Sequence, residues 1–199
     1  MYNSTRLTLI QRISREDRDE QSWEEFVDTY KPYIYCIIKN FNLSHELCED
    51  ILQDILVILW KNLPKFEYHP NKCKFRTWLG VVCRNAVKTH LASKAGRKRL
   101  LETDYEESLH AVNQFTEPEI EEIAEQEWKT FIAEKALSNI RPKVSEKIFI
   151  VIEGTLSQRS DEDLAKEIGT TRSSIRVYRQ RGKNALMKEI IRLNQQLDV

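Results

Sequence analysis

The stretch Ser160–Arg181, SDEDLAKEIGTTRSSIRVYRQR, constrains the fold most. It reads as two short helices joined by a tight turn. Ser160 and Asp163 have the spacing of a capping box, in which the serine oxygen accepts from a free backbone N–H and the acid reaches back. Leu164, Ala165 and Ile168 then give one apolar face, and Gly169 closes the helix as a residue that takes positive φ. Thr171 can cap the next helix, whose Ile175 and Tyr178 face inward. Ala165, Gly169 and Ile175 have the spacing of a DNA-reading helix-turn-helix: small at the approach, glycine at the turn, isoleucine in the angle. Arg172, Arg176 and Arg179 recur at helical spacing on the outer side, with Thr171, Ser173, Ser174 and Arg181 beside them. These seven are the candidate duplex contacts. Taken alone, the segment also fits a solvated helical hairpin.

Composition points to helices throughout. Among 199 residues there are five glycines and five prolines, with 31% charged and 41% hydrophobic. No apolar run is long enough to span a membrane, the longest being Ile55–Trp60, and the first residues lack the apolar core of a signal peptide. A cytoplasmic protein is expected. Cys36, Cys48, Cys73 and Cys83 include no Cys-x-x-Cys pair and read as buried thiols. His45 and Cys48 share a helix face without a second ligand pair, so no metal is expected. No nucleophile triad, paired carboxylates or phosphate loop appears. The sequence predicts no catalytic residue, no cofactor and no enzyme.

The zero net charge conceals segregation. Residues 1–21 are balanced, 22–99 carry net +5, 100–127 carry net −10 with no Lys or Arg, and 128–199 carry net +5. Two basic domains joined by an acidic strap suit a polyanionic partner, with the strap read either as a repeller of DNA or as a solvated linker. The expected organisation is an N-terminal extension 1–21, a helical domain 22–99, an acidic linker 100–127 and a helix-turn-helix domain 128–199.

Along the chain, 22–41 reads as a helix pair broken at Pro32, with Trp23, Phe26, Val27 and Tyr30 on one face and Ile34, Ile37, Ile38 and Phe41 continuing it. Ser44 can cap a helix over about 45–62. Its apolar set is Ile51, Leu52, Ile55, Leu56, Ile58 and Leu59; its polar stripe is Asp50, Gln53, Asp54 and Lys61, with Val57 among them. A polar loop, Tyr68–Lys74, leads to an aromatic-basic helix, Phe75–Ala95, ending in Gly96-Arg97-Lys98-Arg99. Helical periodicity resumes over 128–140. Pro142 starts another helix ending at Gly154, and the last helix runs through Leu186 and Ile190.

The segments HELCEDILQDILVILW and KFEYHPNKCKFRTWLGVVCRNAV, followed by the C-terminal helix pair, resemble the bacterial RNA polymerase sigma factors, most of all the small extracytoplasmic-function group. The likeness covers about 22–99 and 130–190. It implies an all-α, two-domain factor with core RNA polymerase and promoter DNA, both duplex and opened strand, as partners. A restraining anti-sigma factor is a further partner of that family. The resemblance assigns the polymerase grip to Asp50, Gln53, Asp54 and Val57. It assigns minus-ten melting and reading to Lys72, Lys74, Phe75, Arg76, Trp78, Arg84, Asn85 and Lys88, with Arg97, Lys98 and Arg99 on phosphate. The last helix would read the minus-thirty-five element. Two departures stand out: Cys73 where relatives often have a small residue, and Tyr178 before Arg179 where many relatives have basic before apolar.

These roles are physically reasonable. Asp50, Gln53, Asp54 and Val57 share one face at i, i+3, i+4, i+7. Aromatics beside cations give an unstacked base a platform and its phosphates a hold, although Trp78 also fits a core position. Two rivals remain: a helix-turn-helix regulator acting without polymerase, which needs no Asp50–Val57 face, and an inhibitory adaptor of polymerase, which needs neither Phe75–Lys88 nor the arginines.

Overall fold

The computed structural model describes residues 9–13, 20–63, 74–92 and 117–197. Over these residues the chain is helical with no strand: α1 Leu9–Ile13, α2 Glu20–Lys39, α3 His45–Asn62, α4 Phe75–Ala92, α5 Glu117–Ile140, α6 Glu146–Leu156, α7 Asp161–Glu167 and α8 Arg172–Leu197. A single 3-10 turn, Arg141–Lys143, separates α5 from α6. Two compact units result. The first holds the residues up to Phe131 and from Gln196 onward, and the second holds Ile132–Gln195.

The first unit is built on α2, which packs against α1, α3 and α4. The helix pair expected around Pro32 is one continuous helix. Proline removes one N–H that would bond four residues back, yet Tyr33, Ile34, Ile37 and Ile38 extend the buried face beyond it. Burial of that face holds the helix together across the missing bond. The core is aromatic: Phe26 lies 4.7 Å from Tyr30, Tyr30 5.5 Å from Phe75, and Tyr33 5.2 Å from Trp128. Edge-on and tilted pairs of this kind add about 0.5–1.5 kcal/mol each beyond area burial. Asn42 takes positive φ between α2 and α3, and Ser44 caps α3 through the Leu47 N–H at 3.4 Å.

Within the first unit, α5 docks beside α4 over its residues up to Phe131. The acidic strap expected at 100–127 is therefore helical where it is described, from Glu117. Gly80 admits it: a Cβ there would lie 3.0 Å from Ala124 Cβ and 3.4 Å from Ile120 Cγ2. The Tyr33 hydroxyl donates to the Ala124 carbonyl at 2.9 Å, and Asn40 donates to Glu127 at 3.0 Å. Ile120, Ala124 and Trp128 are buried. The acidic residues of 117–127 occupy the other positions, so this described part of the run that reads as a solvated strap is a helix whose short apolar face, Ile120 and Ala124, is hidden by the charge count.

In the second unit, Val151, Leu164, Ala165 and Ile175 form a buried cluster, with Ile150, Ile168 and Tyr178 packed on it. Pro142 lies in the 3-10 turn, and α6 begins only at Glu146, after Ser145. Gly154 does not end α6, which runs on to Leu156; it is a contact position, where a Cβ would collide with the Leu164 side chain. Gly182 serves α8 in the same way, facing Ile152. Gly169 takes φ +63° after α7, and the Thr170 N–H reaches back to the Ala165 carbonyl at 2.9 Å.

Candidate nucleic-acid and partner interface

The two faces of α3 separate cleanly. Leu47, Cys48, Ile51, Leu52, Ile55 and Leu59 are buried. Asp50 is half-buried, while Gln53, Asp54 and Val57 are exposed, Val57 to 51%. Ile58 and Trp60 beside them are also exposed. An acidic and amide stripe next to exposed apolar side chains is the composition of a protein-docking surface, in which apolar area supplies affinity and charge sets register. Asp54 also accepts from His90 Nδ1 of α4 at 2.8 Å; an ionised carboxylate only accepts, so this nitrogen carries the hydrogen. A groove of about 490 Å3 runs between the helices, with Asp54, Val57 and Ile58 on one wall and Val82, Asn85 and His90 on the other.

On α4 the candidates divide into surface and interior. Lys74 and Asn85 are exposed, and Trp78, Arg84 and Lys88 are half-buried. Phe75 and Arg76 correct the sequence expectation. Phe75 is fully buried, with Tyr30, Phe26 and Trp78 around its ring at 5.5, 6.5 and 5.4 Å. It offers no free face to a base because the core already uses it. Arg76 is buried as well; its Nε donates to Glu125 at 2.7 Å, and its guanidinium lies 5.8 Å from the Trp128 ring centroid. Burial pushes the Glu125 carboxyl up, but the hydrogen bond and charge of Arg76 outweigh it, and the carboxyl ends below its ordinary value. Arg76 is thus an internal tie between α4 and α5. Lys72, Cys73, Arg97, Lys98 and Arg99 lie outside the described residues.

The helix pair of the second unit is capped as its sequence suggests, with one difference. The Asp163 N–H donates to Ser160 Oγ at 3.2 Å, but the serine hydroxyl donates to the Asp163 carboxylate at 2.7 Å. The acid therefore satisfies the cap's side chain. The Ser174 N–H donates to Thr171 Oγ1 at 3.3 Å, and the Thr171 hydroxyl also bonds those of Ser173 and Ser174. The arginines are not equivalent. Arg172 pairs with Glu162 at 2.7 Å and stays exposed. Arg176 is 76% exposed and lies 3.9 Å from Asp161. Arg179, expected on the outer side, is only 34% exposed. It folds back to pair with Asp161, and its Nε donates to Thr155 Oγ1 of α6 at 3.0 Å. Arg181 is exposed. The hydrogen bond from Arg179 and the arginine charges around it hold the Asp161 carboxyl below its ordinary value.

Sequence reasoning passed over His90, Glu125, Asp161 and Thr155. Each partners a residue 13 or more positions away or on another helix, and helical periodicity carries no signal for that. Among the described residues there is no cluster of three or more His, Cys, Asp or Glu arranged to hold a metal ion. No described helix is long and apolar enough to cross a membrane.

Comparison with known families bears on the first unit. No curated protein matches the chain significantly. Residues 26–97, which include all of α3 and α4 and most of α2, match the family model described as Sigma-70 region 2. That domain is a non-enzymatic part of transcription initiation and takes part in polymerase binding and promoter recognition. Over residues 26–97, whose helices carry the acidic and amide stripe of α3 beside the polar surface of α4, the chain is similar to the sigma-70 family of sigma factors.

Proposed function

We propose that this chain is a small, two-domain sigma factor of the extracytoplasmic-function type, which brings core RNA polymerase to a limited promoter set and opens the DNA there. The stripe of half-buried Asp50 and exposed Gln53, Asp54 and Val57 within the sigma-70 region 2 match carries the reading. A regulator acting alone would have no use for it. In this proposal α3 grips polymerase. Lys74, Trp78, Arg84, Asn85 and Lys88 line the path of the opened strand, with Lys72 and Arg97–Arg99 supplying phosphate contacts. Phe75 and Arg76 support that surface from within. The second unit reads duplex DNA through Arg172, Ser173 and Arg176 near the start of α8, where a recognition helix presents its first turns to base edges, with Arg181 further along on phosphate. Thr171 and Ser174 cap and stiffen that end.

The direct test is run-off transcription on genomic fragments with purified core polymerase, with and without the protein. Discrete new transcripts starting at a shared promoter pattern are expected. Their absence, with core shown active using its own primary factor, overturns the proposal.

A further inference from the structure

Resting on the duplex-reading role of the second unit, we infer that Asp161 is a positioning residue that decides which arginines of α8 reach DNA. Three helices meet at this point. Arg179 of α8 lies across the first turn of α7, pairs with Asp161, and donates to Thr155 at the end of α6. Asp161 is itself only 20% exposed, whereas Arg176, one turn earlier on α8, is 76% exposed and lies 3.9 Å from it. The carboxylate faces two guanidiniums and engages them unequally, Arg179 through one oxygen in a close hydrogen bond and Arg176 through the other only at 3.9 Å. It binds Arg179 closely by charge-assisted hydrogen bonds and leaves Arg176 to the solvent. Arg179 thereby becomes a staple between helices, and Arg176 the outward cation. The inverted Tyr178-Arg179 order acquires a reason: with the apolar site filled by Tyr178, which packs on the buried cluster, the neighbouring arginine needs an acid within the helix pair, and Asp161 supplies it.

The test uses holoenzyme and measures the salt dependence of binding to a non-specific duplex, together with selection from a duplex library randomised through the upstream element. Each phosphate contact contributes a slope of about 0.9 in log affinity against log salt. Arg176→Gln should flatten the slope by about one such contact and relax base preference. Arg179→Gln should leave slope and preference unchanged and lower only thermal stability. In an Asp161→Asn background, which keeps a short polar side chain in the first turn of α7, Arg179 is released. The slope should then steepen by about one contact, and adding Arg179→Gln should restore it. If Arg179→Gln in the natural background flattens the slope as Arg176→Gln does, Asp161 does not hold the side chain and the inference fails. If neither arginine matters, the duplex-reading role itself fails.

Discussion

At the scale of single residues, charge inside the second unit is spent on holding helices as much as on facing outward. Glu189 of α8 has an 8% exposed side chain. It accepts from Arg192 at 2.6 Å and Asn139 at 2.8 Å, with Lys143 3.5 Å away. The hydrogen bond from Arg192 leads these in drawing its carboxyl down to about 2. A depressed carboxyl pKa stabilises the fold above the unfolded value, near 4.3, and that stability is lost as pH falls from about 5 towards 2. Glu189→Gln should therefore cost about 2 kcal/mol at pH 7 and markedly less, about a quarter as much, at pH 2.5. Urea unfolding of the full chain, followed by circular dichroism through the transition of the second unit, checks it. An equal cost at both pH values would mean that shape, not charge, matters at this position. The same exchange of roles appears at Arg76, Phe75 and Arg179. Each belongs to a residue type that sequence reading sends to nucleic acid, and each is engaged within the protein, Phe75 and Arg76 by burial and Arg179 by its bonds to Asp161 and Thr155. Type and spacing show that a side chain has the right chemistry. Only the partner helix shows whether it is free to use it.

At the scale of elements, what was legible from the sequence follows from what is local. Ser44, Ser160 and Thr171 cap the helices that they were expected to cap, and Gly169 takes the positive φ, because each depends on neighbours within a turn. Pro32, Pro142 and Gly154 misled because proline and glycine are ambiguous punctuation. At Pro32 the buried face outweighs one lost hydrogen bond, and at Gly154 the missing side chain makes room for Leu164. The α5 helix was hardest to see. Its apolar face is narrow, and its partner position, Gly80, is some forty residues earlier. Gly80 offers the sharpest test of that packing. Gly80→Ala brings a Cβ to 3.0 Å from Ala124, but gains about 1 kcal/mol of helix propensity, so its net effect should be small. Gly80→Leu adds three further carbons with nowhere to go and should destabilise the first unit by about 1–3 kcal/mol or more through overpacking. A Gly80→Leu protein as stable to urea as the natural one would show that α5 does not lie against α4.

At the scale of the whole molecule, the two units present different chemistry, and the proposed activity requires both. A stripe of acid, amide and valine on α3 suits a protein partner; the arginines at the start of α8 suit a polyanion. Linking two binding modules raises the effective concentration of the second contact once the first has formed, so modest individual affinities suffice. The functions should then separate by mutation. A folded Asp50→Lys/Asp54→Lys variant reverses two charges on the docking stripe; loss of a buried interfacial charge pair typically costs about 2–5 kcal/mol. It should fail to bind core polymerase and, for that reason, fail to transcribe. An Arg172→Ala/Arg176→Ala variant should bind core as well as the natural protein but lose upstream discrimination, at about 1–3 kcal/mol for each base contact removed. Core affinity by titration, paired with promoter binding of the assembled holoenzyme, gives both readouts on one preparation. The informative comparison is a promoter carrying an artificially pre-opened segment. There the first unit's capture of a single strand no longer waits on duplex reading, so the arginine variant should regain most of its binding while the aspartate variant regains none. If the arginine variant gains nothing from the open segment, the second unit does more than deliver the first to its site, and the division of labour between the units is wrong.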